Sequence, residues 1–116
     1  MLLVDDDEKF GTLVRSMLED DGFEARWAGS ADDAAALLDP FVPEVAVVDV
    51  VMPGRDGLAL ADEIRERLPA CEIILFSSVF DERLRTSLRG EGYLYLEKTA
   101  GYGALLDILG AFADNA

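Results

Sequence analysis

Four short apolar runs in this sequence end in residues that can do chemistry. Met1–Val4 runs into Asp5, Asp6 and Asp7, and Val45–Val48 into Asp49. Cys71–Phe76 is followed by Ser77 and Ser78, and Tyr93–Glu97 by Lys98. Each piece alone has an ordinary explanation: acids cap helices or face water, serines make turns, and a lysine sits on a surface. Together they offer carboxylates, a hydroxyl and an ammonium at equivalent positions. Clustered carboxylates repel one another unless something positive lies among them. An oxygen-rich set with few protein ligands suits Mg²⁺, which keeps several of its waters and bridges to phosphate. There is no histidine. That excludes His-based metal sites, Ser/His and Cys/His nucleophile pairs, and a phosphohistidine on this chain.

The elements that must hold these residues follow from the apolar spacing. Lys9–Asp20 carries Phe10, Leu13, Val14, Met17 and Leu18 on a helical stripe, closed by Gly22. Phe23–Trp27 reads as a strand. Ser30 is placed to cap a helix running to Leu38, with Asp32 and Asp33 in its first turn. Val45–Val48 is a continuous valine-rich run, the mark of a strand covered on both faces. Gly57–Leu68 is helical and stops at Pro69; Cys71–Phe76 is a buried strand; Asp81–Arg89 is a short charged helix. Tyr93–Glu97 is a fifth strand and Gly103–Phe112 a last helix. Strands alternating with helices imply βαβ units and a parallel sheet covered on both faces. Such sheets bind ligands beyond the carboxyl ends of their strands, where the reactive residues lie. The second strand contributes nothing ionisable there, as expected of an edge.

Composition narrows the classes further. A chain of 116 residues that is 51% hydrophobic can bury a core and is expected to form one domain over 1–116. No apolar run approaches the roughly 18 residues of a membrane span, and the start lacks a basic leader. The lone Cys71 cannot form an internal disulfide, in keeping with a reducing, cytoplasmic setting. A net charge of −14 disfavours direct nucleic-acid binding.

Five segments, in this order and spacing, resemble the receiver domains of two-component response regulators. They are Leu-Leu-Val-Asp-Asp-Asp at 2–7, Val-Val-Asp at 47–49, Met-Pro-Gly-Arg-Asp-Gly at 52–57, Ile-Leu-Phe-Ser-Ser at 74–78 and Tyr-Leu-Glu-Lys at 95–98. The resemblance spans essentially the whole chain. It implies the flavodoxin-like (βα)5 fold, a doubly wound parallel sheet of strand order 2-1-3-4-5. It implies that Asp49 accepts a phosphoryl group from a sensor histidine kinase or a histidine phosphotransfer protein. Mg²⁺ would be held by Asp6, Asp49 and the backbone carbonyl of Val51, with Asp5 acting through water. Lys98 and Ser77 would contact phosphoryl oxygens, with backbone amides near Ser78, and Tyr95 would reorient with Ser77 as a switch. Pro53, Gly54 and Gly57 would shape the loop before the third helix. The implied output surface is helix 4, strand 5 and helix 5. It would serve a downstream partner, an attached output domain or a homodimer contact, for a chain that stands alone or is excised from a longer regulator.

The sequence also departs from the family pattern. Thr99 stands where the family has proline after the lysine. A cis bond to a non-proline costs about 2.5–4 kcal/mol, so a trans peptide is expected. The segment from Ser77 to Lys98 is about one residue short. The positions two beyond Asp49 and two beyond Ser77, best placed to orient a hydrolytic water, are Val51 and Val79. Neither side chain can hydrogen-bond water, so slow self-dephosphorylation is expected.

Three rivals read the same residues differently. A phosphatase of the haloacid-dehalogenase type would use Asp5 and Asp7, but Glu8 and Lys9 do not fit its motif, and Asp49 would have no role. A nucleotide-binding module would use Gly101-Tyr-Gly103, yet position 106 is Leu rather than a third glycine. A pseudo-receiver that works without phosphorylation is opposed by the complete set Asp5, Asp6, Asp49, Ser77 and Lys98.

Overall fold

The computed structural model describes residues 1–50, 57–77 and 82–114. The strands are β1 (Leu2–Val4), β2 (Arg26–Ala28), β3 (Val45–Val48), β4 (Glu72–Ser77) and β5 (Leu94–Glu97). The helices are α1 (Glu8–Asp20), α2 (Ala31–Leu37), α3 (Gly57–Arg67), α4 (Glu82–Gly90) and α5 (Gly101–Asp114). All strand pairings are parallel and the order is β2-β1-β3-β4-β5, the flavodoxin-like arrangement that the resemblance implies. The sequence reverses at β1 and β3, so the crevice beyond their ends is where such a sheet binds ligands.

Side-chain alternation splits the core into two layers. Leu2, Val4, Ala46, Val48, Ile73 and Leu75 face α2 and α3, meeting Ala31, Ala34, Leu60 and Ile64. Leu3, Val45, Val47, Ile74 and Phe76 face α1 and α5, meeting Val14, Leu18, Leu105 and Leu109. Val45–Val48 is buried at every position, the reason it carries apolar residues without alternation.

Several expected boundaries shift by a residue or more, and three of the shifts have a clear local reason. β2 begins at Arg26, not Phe23. Gly22 takes φ +93, and the Phe23 N–H bonds back to the Leu18 carbonyl at 3.0 Å, so Phe23 belongs to the C-terminal cap of α1. β4 starts and ends one residue late. Cys71 is tied into a turn through Leu68, while Ser77 joins the ladder opposite Glu97. After β5 the chain makes a 3₁₀ turn, Lys98–Ala100, and enters α5 through Gly101 at φ +89, two residues before the expected start. Every peptide among the described residues is trans, including the one joining Lys98 to Thr99.

Candidate functional site

The acid triplet after β1 divides into three roles set by local geometry. Asp5 continues the strand: its N–H donates to the Ala28 carbonyl at 3.1 Å, and its side chain is buried. One carboxylate oxygen of Asp5 accepts the Asp7 N–H at 2.9 Å. Asp7 caps α1, its Oδ1 accepting the Phe10 N–H at 3.1 Å. Asp6, between them, is exposed at the rim. Asp7 is outside the carboxylate cluster of Asp5, Asp6 and Asp49, whereas the dehalogenase-like reading would bring it in with Asp5.

Asp49 sits on the continuation of β3, where its N–H donates to the Val4 carbonyl at 2.9 Å. Only 5% of it is exposed. Gly57, the first residue of α3, lies directly over it. A Cβ there would overlap the Asp49 carbonyl oxygen, and the Gly57 N–H donates to the Val50 carbonyl at 3.2 Å. The glycine is therefore needed for close approach of helix and strand end.

Lys98 closes the site from the end of β5. Its Nζ lies 2.6 Å from Asp5 Oδ2 and 3.3 Å from Asp49 Oδ2. Burial alone would lower the Lys98 pKa. The hydrogen bond and charge of Asp5, and then those of Asp49, outweigh it and leave the ammonium above its ordinary value. Beneath it lies the Phe10 ring, 4.6 Å from Nζ to centroid. Phe10 is itself braced by Phe76, with ring centroids 6.0 Å apart.

One oxygen from each of Asp5, Asp6 and Asp49 lies within 4.8 Å of the others. These are hard oxygen donors without sulfur or imidazole, the set that Mg²⁺ prefers. Even with Lys98 paired to two of them, the three carboxylates leave net negative charge that a divalent cation would neutralise. The donor set fits the metal expected there.

Ser77 is fully buried at the end of β4, inside the strand rather than after it. Tyr95 is also buried, on β5 opposite Leu75, two positions short of the Ser77–Glu97 pair. The two thus share a sheet face at adjacent strands. Val51, Pro53, Gly54, Ser78 and Val79 lie outside the described residues.

Two contacts were not read from the sequence. Phe10 appeared there only as a core position on α1, not as the surface under Lys98. Trp27 was read only as the last residue of the second, edge strand; its indole N–H donates to the Asp5 carbonyl at 2.9 Å. The signal available was Gly11, a glycine in the first turn of a helix, where a packing demand can account for the missing side chain.

A sequence model of the response regulator receiver domain matches residues 1–109. The chain belongs to that family. It is 30% identical to the chemotaxis protein CheY of Halobacterium salinarum over 96% of this chain and 97% of that protein. The receiver domain of NtrX from Brucella abortus superposes with a TM-score of 0.88 at 29% identity, covering 99% of this chain and 98% of that one. The response regulator TrrA of Thermotoga maritima, solved with Mg²⁺ and BeF, gives a TM-score of 0.83 at 25% identity, with 95% of each chain covered. Receiver domains are the signalling modules of two-component systems, which ties this chain to kinases or phosphotransfer proteins upstream and to outputs downstream. Among the described residues no helix is long and apolar enough to cross a membrane.

Proposed function

We propose that this receiver domain is switched by phosphorylation of Asp49. The observation that carries the reading is the placement of the Lys98 ammonium, 2.6 Å from Asp5 and 3.3 Å from Asp49, within a cluster of three carboxylates. Phosphoryl transfer asks the protein for an in-line oxygen nucleophile and for positive charge at the equatorial oxygens. Asp49 offers the nucleophile, fixed at its backbone by Val4 and crowded by Gly57. Lys98 offers a charge already held beside it. Asp6 and Asp49 would hold Mg²⁺ directly and Asp5 through water, together with the Val51 carbonyl; when bound, the metal supplies charge neutralisation for the incoming phosphoryl group. TrrA was solved with Mg²⁺ and a beryllium fluoride, and the same ligand pair is the natural probe here.

The donor would be a histidine kinase or phosphotransfer protein, and the output a partner reading the α4–β5–α5 surface, as a domain standing alone or within a longer regulator, in the cytoplasm. Tyr95 is inward in this structure. Phosphorylation would therefore hold an orientation already accessible, by drawing the Ser77 hydroxyl to a new charge-assisted hydrogen bond. Val51 and Val79 would leave the hydrolytic water unaided, so the phosphorylated state would decay slowly and end mainly through a phosphatase or back-transfer.

Addition of beryllium fluoride with Mg²⁺ tests this reading by NMR. Shifts should extend from Asp49 to Ser77, Tyr95 and β5. Shifts confined to the loops near Asp49 would remove the switch, and failure to bind at all would favour a pseudo-receiver. For the lifetime, Val51→Asn with Val79→Glu should speed loss of phosphate; an unchanged or slower rate would refute the water argument.

A further inference from the structure

We propose that Trp27 is a positioning residue for the metal-binding carboxylates, its indole N–H fixing the peptide that joins Asp5 to Asp6. This rests on reading Asp5, Asp6 and Asp49 as the Mg²⁺ site. The N–H donates to the Asp5 carbonyl at 2.9 Å. That carbonyl shares a rigid peptide plane with the Asp6 N–H, so holding it sets the direction in which the Asp6 side chain leaves the chain. The remaining polar groups of Asp5 are also engaged: its N–H with Ala28, one carboxylate oxygen with Asp7 and the other with Lys98. The indole bond thus completes the clamp on this residue.

The seat of the indole is built for it by two glycines. A Cβ at Gly11, in the first turn of α1, would overlap the Nε1 and Cδ1 edge of the ring. At Gly29 a Cβ would press on Cζ2 and Cη2 at 3.1 and 3.2 Å. A glycine inside a helix weakens it relative to alanine, and here the open space is filled by the ring that reaches Asp5. The edge strand, which brings no ionisable group to the crevice, thereby governs the aim of one that does. Outer partners that orient metal ligands are worth roughly tenfold or more in affinity.

The chain has one tryptophan, so it can be replaced uniformly by β-(3-benzothienyl)alanine, which keeps the shape of indole and puts sulfur where the N–H was. Calorimetric titration with Mg²⁺, at a temperature where both proteins are fully folded, should show affinity weakened about tenfold in the analogue. Gly11→Ala, which displaces the ring, should weaken it in the same direction. In the unmodified protein the single indole ¹⁵N–H resonance should shift along the Mg²⁺ titration. If the unmodified protein binds Mg²⁺ and the analogue binds within about twofold of it, the positioning role is overturned while the metal site stands. An analogue that loses thermal stability but keeps its Mg²⁺ affinity overturns the proposal too, since the bond is then only structural. An unmodified protein that binds no Mg²⁺ overturns the metal reading and this inference with it.

Discussion

Neighbouring acids of one type do different work here, and paired substitutions separate them. Asp6 lies in the carboxylate cluster, whereas Asp7 caps α1. Asp6→Ala should weaken Mg²⁺ binding at least tenfold and leave the metal-free fold no less stable, because like-charge repulsion is relieved. Asp7→Ala should cost about 1 kcal/mol of stability through the lost cap and leave Mg²⁺ affinity nearly unchanged. Calorimetry and urea unfolding read the two effects; equal loss of metal affinity in both variants would contradict the division. Away from the site, the Tyr93 hydroxyl donates to Asp62 at 2.5 Å, and the Arg65 guanidinium lies 4.4 Å from its ring centroid. Burial, followed by the hydrogen bond and charge of Asp62, pushes the phenol from 10 up to about 12. The stability this gives is fully present below pH 10 and is lost as pH rises through about 12. Tyr93→Phe should cost about 1 kcal/mol at neutral pH and flatten the loss of stability in that alkaline window, measured by urea midpoints. At this scale Asp49, Lys98 and the acid triplet were legible because ionisable residues after apolar strands stand out. Phe10 and Trp27 were not, because an aromatic that serves a site has the same periodicity as one that fills a core.

The strands and helices were easier to read than the contacts between them. Val45–Val48 was legible to the residue because burial on both faces removes alternation. β2 was misplaced because Phe23 is as apolar as a strand residue yet is claimed by the Gly22 cap of α1. The N-terminus of α3 illustrates a constraint that pattern alone does not convey. Gly57 was marked as shaping the loop, but the demand comes from the Asp49 carbonyl lying where a Cβ would go. Gly57→Ala should therefore destabilise the fold by about 1–3 kcal/mol through overpacking. It should also lower the yield of phosphorylated protein at fixed donor concentration, because the helix would push on the strand end that holds Asp49. Unchanged stability with unchanged phosphorylation would show that α3 can retreat without cost.

Taken whole, the molecule concentrates charge at one end of an otherwise apolar sheet. A net charge of −14 and a cluster of carboxylates round Lys98 make the metal-free state self-repelling. Mg²⁺ at a hundredfold excess over its dissociation constant should then raise unfolding free energy by about 2.7 kcal/mol. Chelation should reverse the gain, and Asp6→Ala should lack most of it; a melting temperature indifferent to Mg²⁺ would remove the metal from the account. The topology was legible from the alternation of elements, and the family from the order of its motifs. The central claim is that Asp49 is the phosphoacceptor, and one measurement meets it directly. The purified protein is incubated with phosphoramidate and Mg²⁺, reduced with borohydride to trap any acyl phosphate, digested and mapped by mass spectrometry. The mark should fall on Asp49, depend on Mg²⁺ and disappear in Asp49→Asn; a mark on Asp5 or another residue, or one that persists in that variant, would contradict the account.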